Sequence, residues 1–329
     1  MQVKIASSAL PDMTAMAPRR RWVAAIASLV LPGFGQFYNG DFNRAIWLFL
    51  GFALLCIPGI ALIALYLPAG LMMPSLALGS SAALGVWAYS VWDAWRRAGK
   101  DCGLVVKVAQ MSGVYALIFV LCDLLALPLL TLYVRQHQVE PFRIPSRSME
   151  PSVLAGDMIW ADKRYNCPGC RKGVHRGDIA IFAYPNDRSV RYIKRVIGLP
   201  GDYVQLKDRK VLLNGQALQT ADGLSPAGPV MESIDGRQWQ VQWTEPSSTA
   251  TPAAKRPFLN RAPTERAEEF QLIVPDGQVF VLGDNRLDST DSRSFGTVPL
   301  QDILGRARQV WFSSDKQGVR WGRLGQVLE

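Results

Sequence analysis

Between Ala45 and Trp92 the chain carries no charged side chain. A helix needs about 20 predominantly apolar residues to cross a bilayer, and two such stretches fit inside this interval. The charge distribution points the same way, because residues 1–134 hold only 9 of the 36 basic and 5 of the 27 acidic side chains. At 329 residues the chain is long enough for two or three folding units, and its 49% hydrophobic content is concentrated at the N-terminal end.

The spacing predicts spans over residues 45–67, 71–92 and 112–134, with Trp47, Tyr66, Trp87, Trp92 and Tyr133 near their ends, where aromatic belts sit. A further apolar run, 22–38, is broken by Pro32, Gly33 and Gly35, and is read as a half-inserted segment. Basic residues gather on cytoplasmic sides, so Arg19–Arg21, Arg44 and the Arg96–Lys107 cluster are placed inward, and everything after Val134 outward. The expected organisation is a cytoplasmic tail (1–21), a membrane region (22–134) and an outward-facing β-rich domain (135–329). A lipid bilayer is then a partner. The basic excess is spread over both halves without interleaved aromatics, which argues against nucleic acid.

After Arg135 the texture changes to short runs bounded by Gly, Pro and Asp: MIWADKRY, DIAIFAYP, VRYIKRVIGL, YVQLKDRKVLLNG, QWQVQW, EEFQLIVP, QVFVLGD and ARQVWFSS. Strands at this spacing predict a mostly-β domain. Residues 220–267, rich in Pro, Ser, Thr and Ala, read as a variable surface insertion.

Two scarcities limit the chemistry. With only His137 and His175, a zinc site built on several imidazoles is nearly excluded. Of the five cysteines only Cys167 and Cys170 form a close pair, which reads as a local disulfide or as part of a redox or metal-sensing module.

Three segments carry chemical signals. In IPSRSMEPSVLAGD (144–157) Ser148 lies between Pro145 and Pro151, which would hold it extended and fix its hydroxyl; a linker serine is the plainer reading. In RYIKRVIGLPGD (191–202) strand alternation puts Lys194 on one face with Tyr192 and Val196, and Arg195 on the other with Ile193 and Ile197. A lysine among apolar neighbours either snorkels or loses its proton near working pH, and so becomes a base for a serine hydroxyl. In VFVLGDNRLDSTDSRSFGTVP (279–299) charges of alternating sign suggest a self-paired loop; Gly283 and Gly296 would permit positive φ, and Ser289 is placed to bond another site group.

Together these segments resemble the boxes of bacterial type I signal peptidases, membrane-anchored Ser-Lys proteases. The similarity runs from Phe142 to about Trp321 through PS-x-SM-x-P, GDI-x-x-F, YIKR-x-IGLPGD and GDNR-x-x-S-x-DSR-x-x-G, in that order. The resemblance implies a mostly-β catalytic domain behind a membrane anchor of one or two spans; the transmembrane helical region expected here, three spans plus one half-inserted segment, is larger than that. The resemblance also implies Ser148 as nucleophile, Lys194 as general base, Ser146 as an oxyanion donor and Ser289 as the residue that orients the lysine. Asp291 and Arg195 would form an ion pair beside the site, and Ile144, Pro145, Val153, Tyr192 and Ile193 would line the substrate clefts. The implied activity is removal of signal peptides from exported precursors at the outer face of the bacterial cytoplasmic membrane, with no metal or cofactor and with the export machinery as a further partner. A membrane adaptor that binds signal peptides without cutting is the alternative. Arg147 replaces the small residue common between the two serines.

Overall fold

The computed structural model describes residues 19–56, 59, 67, 69–98, 120–166, 173–219, 229–243 and 269–328. They fall in two compact units, one drawn from Met1–Ile63 and Pro74–Val134, the other from Ala64–Met73 and Arg135–Glu329.

The first unit is helical: α1 (Arg21–Val30), α2 (Phe34–Asn39), α3 (Phe42–Cys56) and most of α4 (Ala69–Ala98). The chain breaks between α1 and α2 where the sequence places Pro32 and Gly33, and Gly33 takes φ +96°. Its helices meet through a buried polar cluster. Ser28 and Ser90 both bond Gln36, whose Nε2 donates to the Ser90 carbonyl and to Asp93. Gly35 lies so close to Ala24 and Ala94 that no side chain fits there.

The expected spans are not found: among the described residues no helix is long and apolar enough to cross a membrane. α3 is described over 15 residues, Phe42–Cys56. α4 has 30, with Pro74 inside it and Asp93, Arg96 and Arg97 near its end. The run expected at 112–134 is described only from Val120, as a π-helical turn to Ala126 followed by α5 (Leu127–His137). The half-inserted segment is two short helices, of 10 and 6 residues. Freedom from charge was the signal for a span, and it does not guarantee a continuous apolar helix.

The second unit is built on strands. In chain order they are β1 (Val139–Arg143), β2 (Asp157–Asp162), β3 (Ile179–Tyr184), β4 (Asp187–Gly198), β5 (Tyr203–Lys207), β6 (Lys210–Leu213), β7 (Gln216–Ala217), β8 (Val230–Ile234), β9 (Arg237–Val241), β10 (Glu269–Ile273), β11 (Gln278–Leu282), β12 (Val298–Pro299), β13 (Ile303–Asp315) and β14 (Gly318–Val319). The main sheet runs β1-β2-β13-β3-β4-β11-β12, with β14 attached to β13; a second sheet runs β10-β5-β6-β7, and β8 pairs with β9. All these pairings are antiparallel.

Alternation divides the core between the two faces of the main sheet. Ile159, Ile179, Ile181, Ile193 and Val310 pack on one side with Met149 and Val153, whereas Ala180, Phe182, Val196, Val281 and Ile303 pack on the other. A third cluster joins Ile197, Phe280 and Leu282 to Val204, Leu206 and Trp239. The region expected to be a surface insertion is therefore partly interior: β8 and β9 contribute Val230, Ile234, Trp239 and Val241 to that cluster. The rest of that insertion, and Cys167 and Cys170, lie outside the described residues.

Candidate active site

The segment between β1 and β2 is closed at its neck by two backbone bonds, from the Ile144 amide to the Asp157 carbonyl (2.9 Å) and from the Gly156 amide to the Ile144 carbonyl (2.8 Å). Within it the chain turns rather than running extended as the flanking prolines suggested. The Glu150 amide donates to the Arg147 carbonyl, and the Val153 amide to the Met149 carbonyl. Met149 and Val153 are both fully buried, an anchoring worth about 1.5–3 kcal/mol for each side chain. Val153, expected in the substrate cleft, thus lies in the core beneath the turn, because the chain doubles back at Met149.

This anchored turn presents Ser148 to β4. Lys194 Nζ is 2.8 Å from Ser148 Oγ and 2.9 Å from the Ile193 carbonyl, which holds the end of the side chain. Ser146 Oγ is 3.2 Å from Ser148 Oγ. Ser148 is 7% and Lys194 4% exposed, and the Tyr192 ring lies 5.4 Å from Nζ. Lys194 makes no ion pair among the described residues. Burial depresses its pKa to about 8, against the upward pull of the Asp291 and Asp284 charges.

The polar loop after β11 supplies the other wall. Gly283 has no positive φ; its small size is what matters, since a Cβ there would lie 2.5 Å from the Ser148 carbonyl oxygen. The expected Asp291–Arg195 pair is not formed, because the partners are exchanged. Arg195 meets Asp284 in a fork (2.9 and 2.8 Å) and also donates to the Gly177 carbonyl and Ser152 Oγ. Asp291 takes Arg293 (2.7 and 2.8 Å) and the Gly283 amide (3.0 Å). Burial pushes the Asp291 carboxyl up, but the Arg293 charge and these bonds outweigh it and hold the group below the usual carboxylate range. A third buried fork, Arg286 on Glu232 (2.7 and 2.5 Å), ties the loop to β8. Ser289 Oγ is buried against Gly283 with no hydrogen-bond partner among the described residues, so it does not bond Lys194.

One residue unmarked in the sequence completes the arrangement. Asn285 donates from its amide to the Ser148 carbonyl (3.1 Å) and from Nδ2 to the Arg147 carbonyl (3.2 Å). The loop's density of Asp, Asn, Ser and Arg was the available signal; the contact itself depends on tertiary structure.

The hydroxyls open onto a cleft of about 980 Å³. Ile144, Pro145, Ile181, Val190, Tyr192 and Ile193 give it an apolar lining, Tyr184 stacks on Tyr192 at 4.6 Å, and Arg143, Arg147, Arg191 and Asp288 add charge. Four of the five expected cleft residues are present. Arg147 is half exposed and pairs with Glu150 at 3.1 Å. Neither histidine lines the cleft. Among the described residues no group of three His, Cys, Asp or Glu side chains could hold a metal ion.

The family model described as "Signal peptidase, peptidase S26" matches residues 115–312, more than half of the chain. The chain belongs to the signal peptidase, peptidase S26 family. Similar relatives include Signal peptidase I of Rickettsia prowazekii (strain Madrid E), 33% identical over 227 residues, covering 63% of this chain and 81% of the relative. Signal peptidase I of Pseudomonas fluorescens is 33% identical over 213 residues, covering 56% and 68%. That of Buchnera aphidicola is 28% identical over 240 residues, covering 59% and 76%. The peptidase S26 match spans the turn that carries Ser148, the strand that carries Lys194 and the polar loop, so every group described above falls within it.

Proposed function

We propose that this chain is a signal peptidase I, a serine endopeptidase that removes N-terminal signal peptides from exported precursors. One observation carries the reading: a buried lysine with no carboxylate partner among the described residues lies 2.8 Å from the hydroxyl of an anchored serine, in a cleft lined by neither His137 nor His175.

Neutral Lys194 has a lone pair for the Ser148 proton while Ile193 accepts from one of its N–H groups. As that proton moves to Nζ, Oγ bonds to the scissile carbonyl carbon and the carbonyl electrons shift to oxygen. The oxyanion is met by the Ser148 amide and by the Ser146 hydroxyl, which turns from Ser148 Oγ toward it. Collapse expels the amine, which takes the proton from Nζ, and leaves an acyl ester on Ser148. Lys194 then deprotonates a water that attacks the ester, and returns the proton to Oγ as the signal peptide leaves with a free carboxyl. The apolar shallow walls at Ile144, Pro145 and Ile193 suit small side chains next to the scissile bond, as at A-x-A cleavage sites.

The enzyme works at the outer face of the bacterial cytoplasmic membrane, beside the export machinery. The many exposed apolar side chains of the helical unit, including Trp22, Ile26, Leu29, Trp47, Leu50 and Leu54, support a lipid partner. The Ser-Lys contact favours an enzyme over a non-cutting adaptor, which needs no depressed lysine. Incubation of the purified full chain with a secretory precursor tests this. The wild type should release one signal peptide per precursor, cut after a small residue, and Ser148→Ala should release none. Cleavage by Ser148→Ala at the wild-type rate would overturn it.

A further inference from the structure

Asn285 is 4% exposed, and its two donors fasten two successive carbonyls of the nucleophile turn. The bond to Arg147 has a particular geometrical consequence. The Arg147 carbonyl and the Ser148 N–H belong to one planar trans peptide group, so they point in opposite directions and cannot rotate independently. Fixing the carbonyl on one edge fixes the direction of the N–H on the other. The amide orientation of Asn285 follows from the same contacts: Oδ1 is buried without a partner among the described residues, and exchanging it with Nδ2 would set oxygen against the Arg147 carbonyl and strand a donor. Gly283, where a Cβ would meet the Ser148 carbonyl, lets the loop come this close.

We propose that Asn285 is a positioning residue for the oxyanion-binding amide, aiming the Ser148 N–H through its bond to the Arg147 carbonyl. The inference rests on the reading of Ser148 as nucleophile. It differs from a role for Asn285 in substrate binding, because Asn285 does not line the cleft. It also leaves Lys194 alone, since no bond joins the two side chains.

The test uses the full chain with Asn285→Ala and Asn285→Asp; the second keeps the volume and the backbone bond but replaces the Nδ2 donor with an acceptor. Oxyanion donors are commonly worth about 10²–10³ in kcat, and an amide left in place but poorly aimed should lose about tenfold to a hundredfold. KM should stay unchanged, and so should the midpoint of the alkaline limb that reports Lys194. A second readout compares a peptide aldehyde with the matching alcohol. Ser148 Oγ adds to the aldehyde carbon, the carbonyl electrons move to oxygen and the Ser148 proton is taken up through Lys194, whereas the alcohol cannot react. Both variants should weaken the aldehyde by the factor lost in kcat, with the alcohol unaffected. Equal weakening of both ligands, a loss carried by KM, wild-type kcat, or a loss that tracks unfolding in both variants would each overturn the proposal. Retained cleavage by Ser148→Ala would overturn the reading beneath it, so the two failures are distinguishable.

Discussion

Lys194 and Arg195 are consecutive on β4, both almost completely buried, and the protein treats them in opposite ways. Arg195 is given a two-pronged carboxylate at Asp284 and further acceptors at Gly177 and Ser152, so its charge is satisfied. Lys194 bonds a carbonyl and a hydroxyl and makes no ion pair among the described residues, so burial of its ammonium outweighs the pull of the more distant Asp291 and Asp284 charges. The same cost of removing a cation from water is compensated on one face of the sheet and left to depress a pKa on the other. A charge that is paired holds structure together; one left unpaired becomes available for proton transfer.

The sharpest way to break this comparison is to give the first position the chemistry of the second. Lys194→Arg keeps a cation beside Ser148 but cannot lose its proton. Cleavage of a precursor should fall by more than about 10³-fold, the scale expected when a nucleophile loses its base. Activity within tenfold of wild type would mean that position 194 supplies charge rather than basicity.

The converse change acts on Arg195. Asp284→Asn leaves a buried guanidinium without its counter-charge, which should cost about 3–5 kcal/mol in denaturant unfolding. A loss below about 1 kcal/mol would show that the fork is not what holds Arg195.

A smaller effect sharpens the Lys194 side. Its folded pKa of about 8 lies below the ordinary 10.5, so between those values the unfolded chain holds a proton that the folded chain lacks. Wild-type stability therefore rises with pH across that window, and below pH 8 the full penalty stands, about 3 kcal/mol at about 1.36 kcal/mol per unit. Lys194→Met removes the penalty. Its advantage over wild type in urea unfolding should shrink by about 2 kcal/mol between pH 6.5 and pH 9.5. An advantage constant over that range would mean that the ammonium is not depressed.

The sequence made part of this comparison legible and hid the rest for identifiable reasons. Ser146, Ser148 and Lys194 come together as the resemblance implied, and alternation along β4 correctly separated Lys194 from Arg195. The pairing of Arg195 was not legible. The loop after β11 offers Asp284, Asp288 and Asp291 within a few residues, and a bulge between Phe280 and Val281 shifts the register that sets Leu282 opposite Arg195. Asn285 is not legible because its partners lie well over a hundred residues earlier, and Val153, which the resemblance implies in the cleft, lies in the core because the chain turns at Met149. Trp239 and Val241 alternate inward in a strand that the sequence did reveal, yet the surrounding Pro/Ser/Thr composition disguised its role in the core. In the helical unit absence of charge does not guarantee a continuous apolar helix: the chain breaks at Pro32–Gly33, and among the described residues no helix is long and apolar enough to cross a membrane.

The central claim is that Lys194 is an amine kept near neutrality by burial, and the pH dependence of kcat/KM for precursor cleavage tests it most directly. The limb should rise as Lys194 loses its proton, with a midpoint near 8. It should persist unchanged in His175→Ala, whose ring is exposed and outside the cleft. A midpoint near 6.5 that disappears with His175, or one near 10.4 as for a lysine in water, would contradict the account.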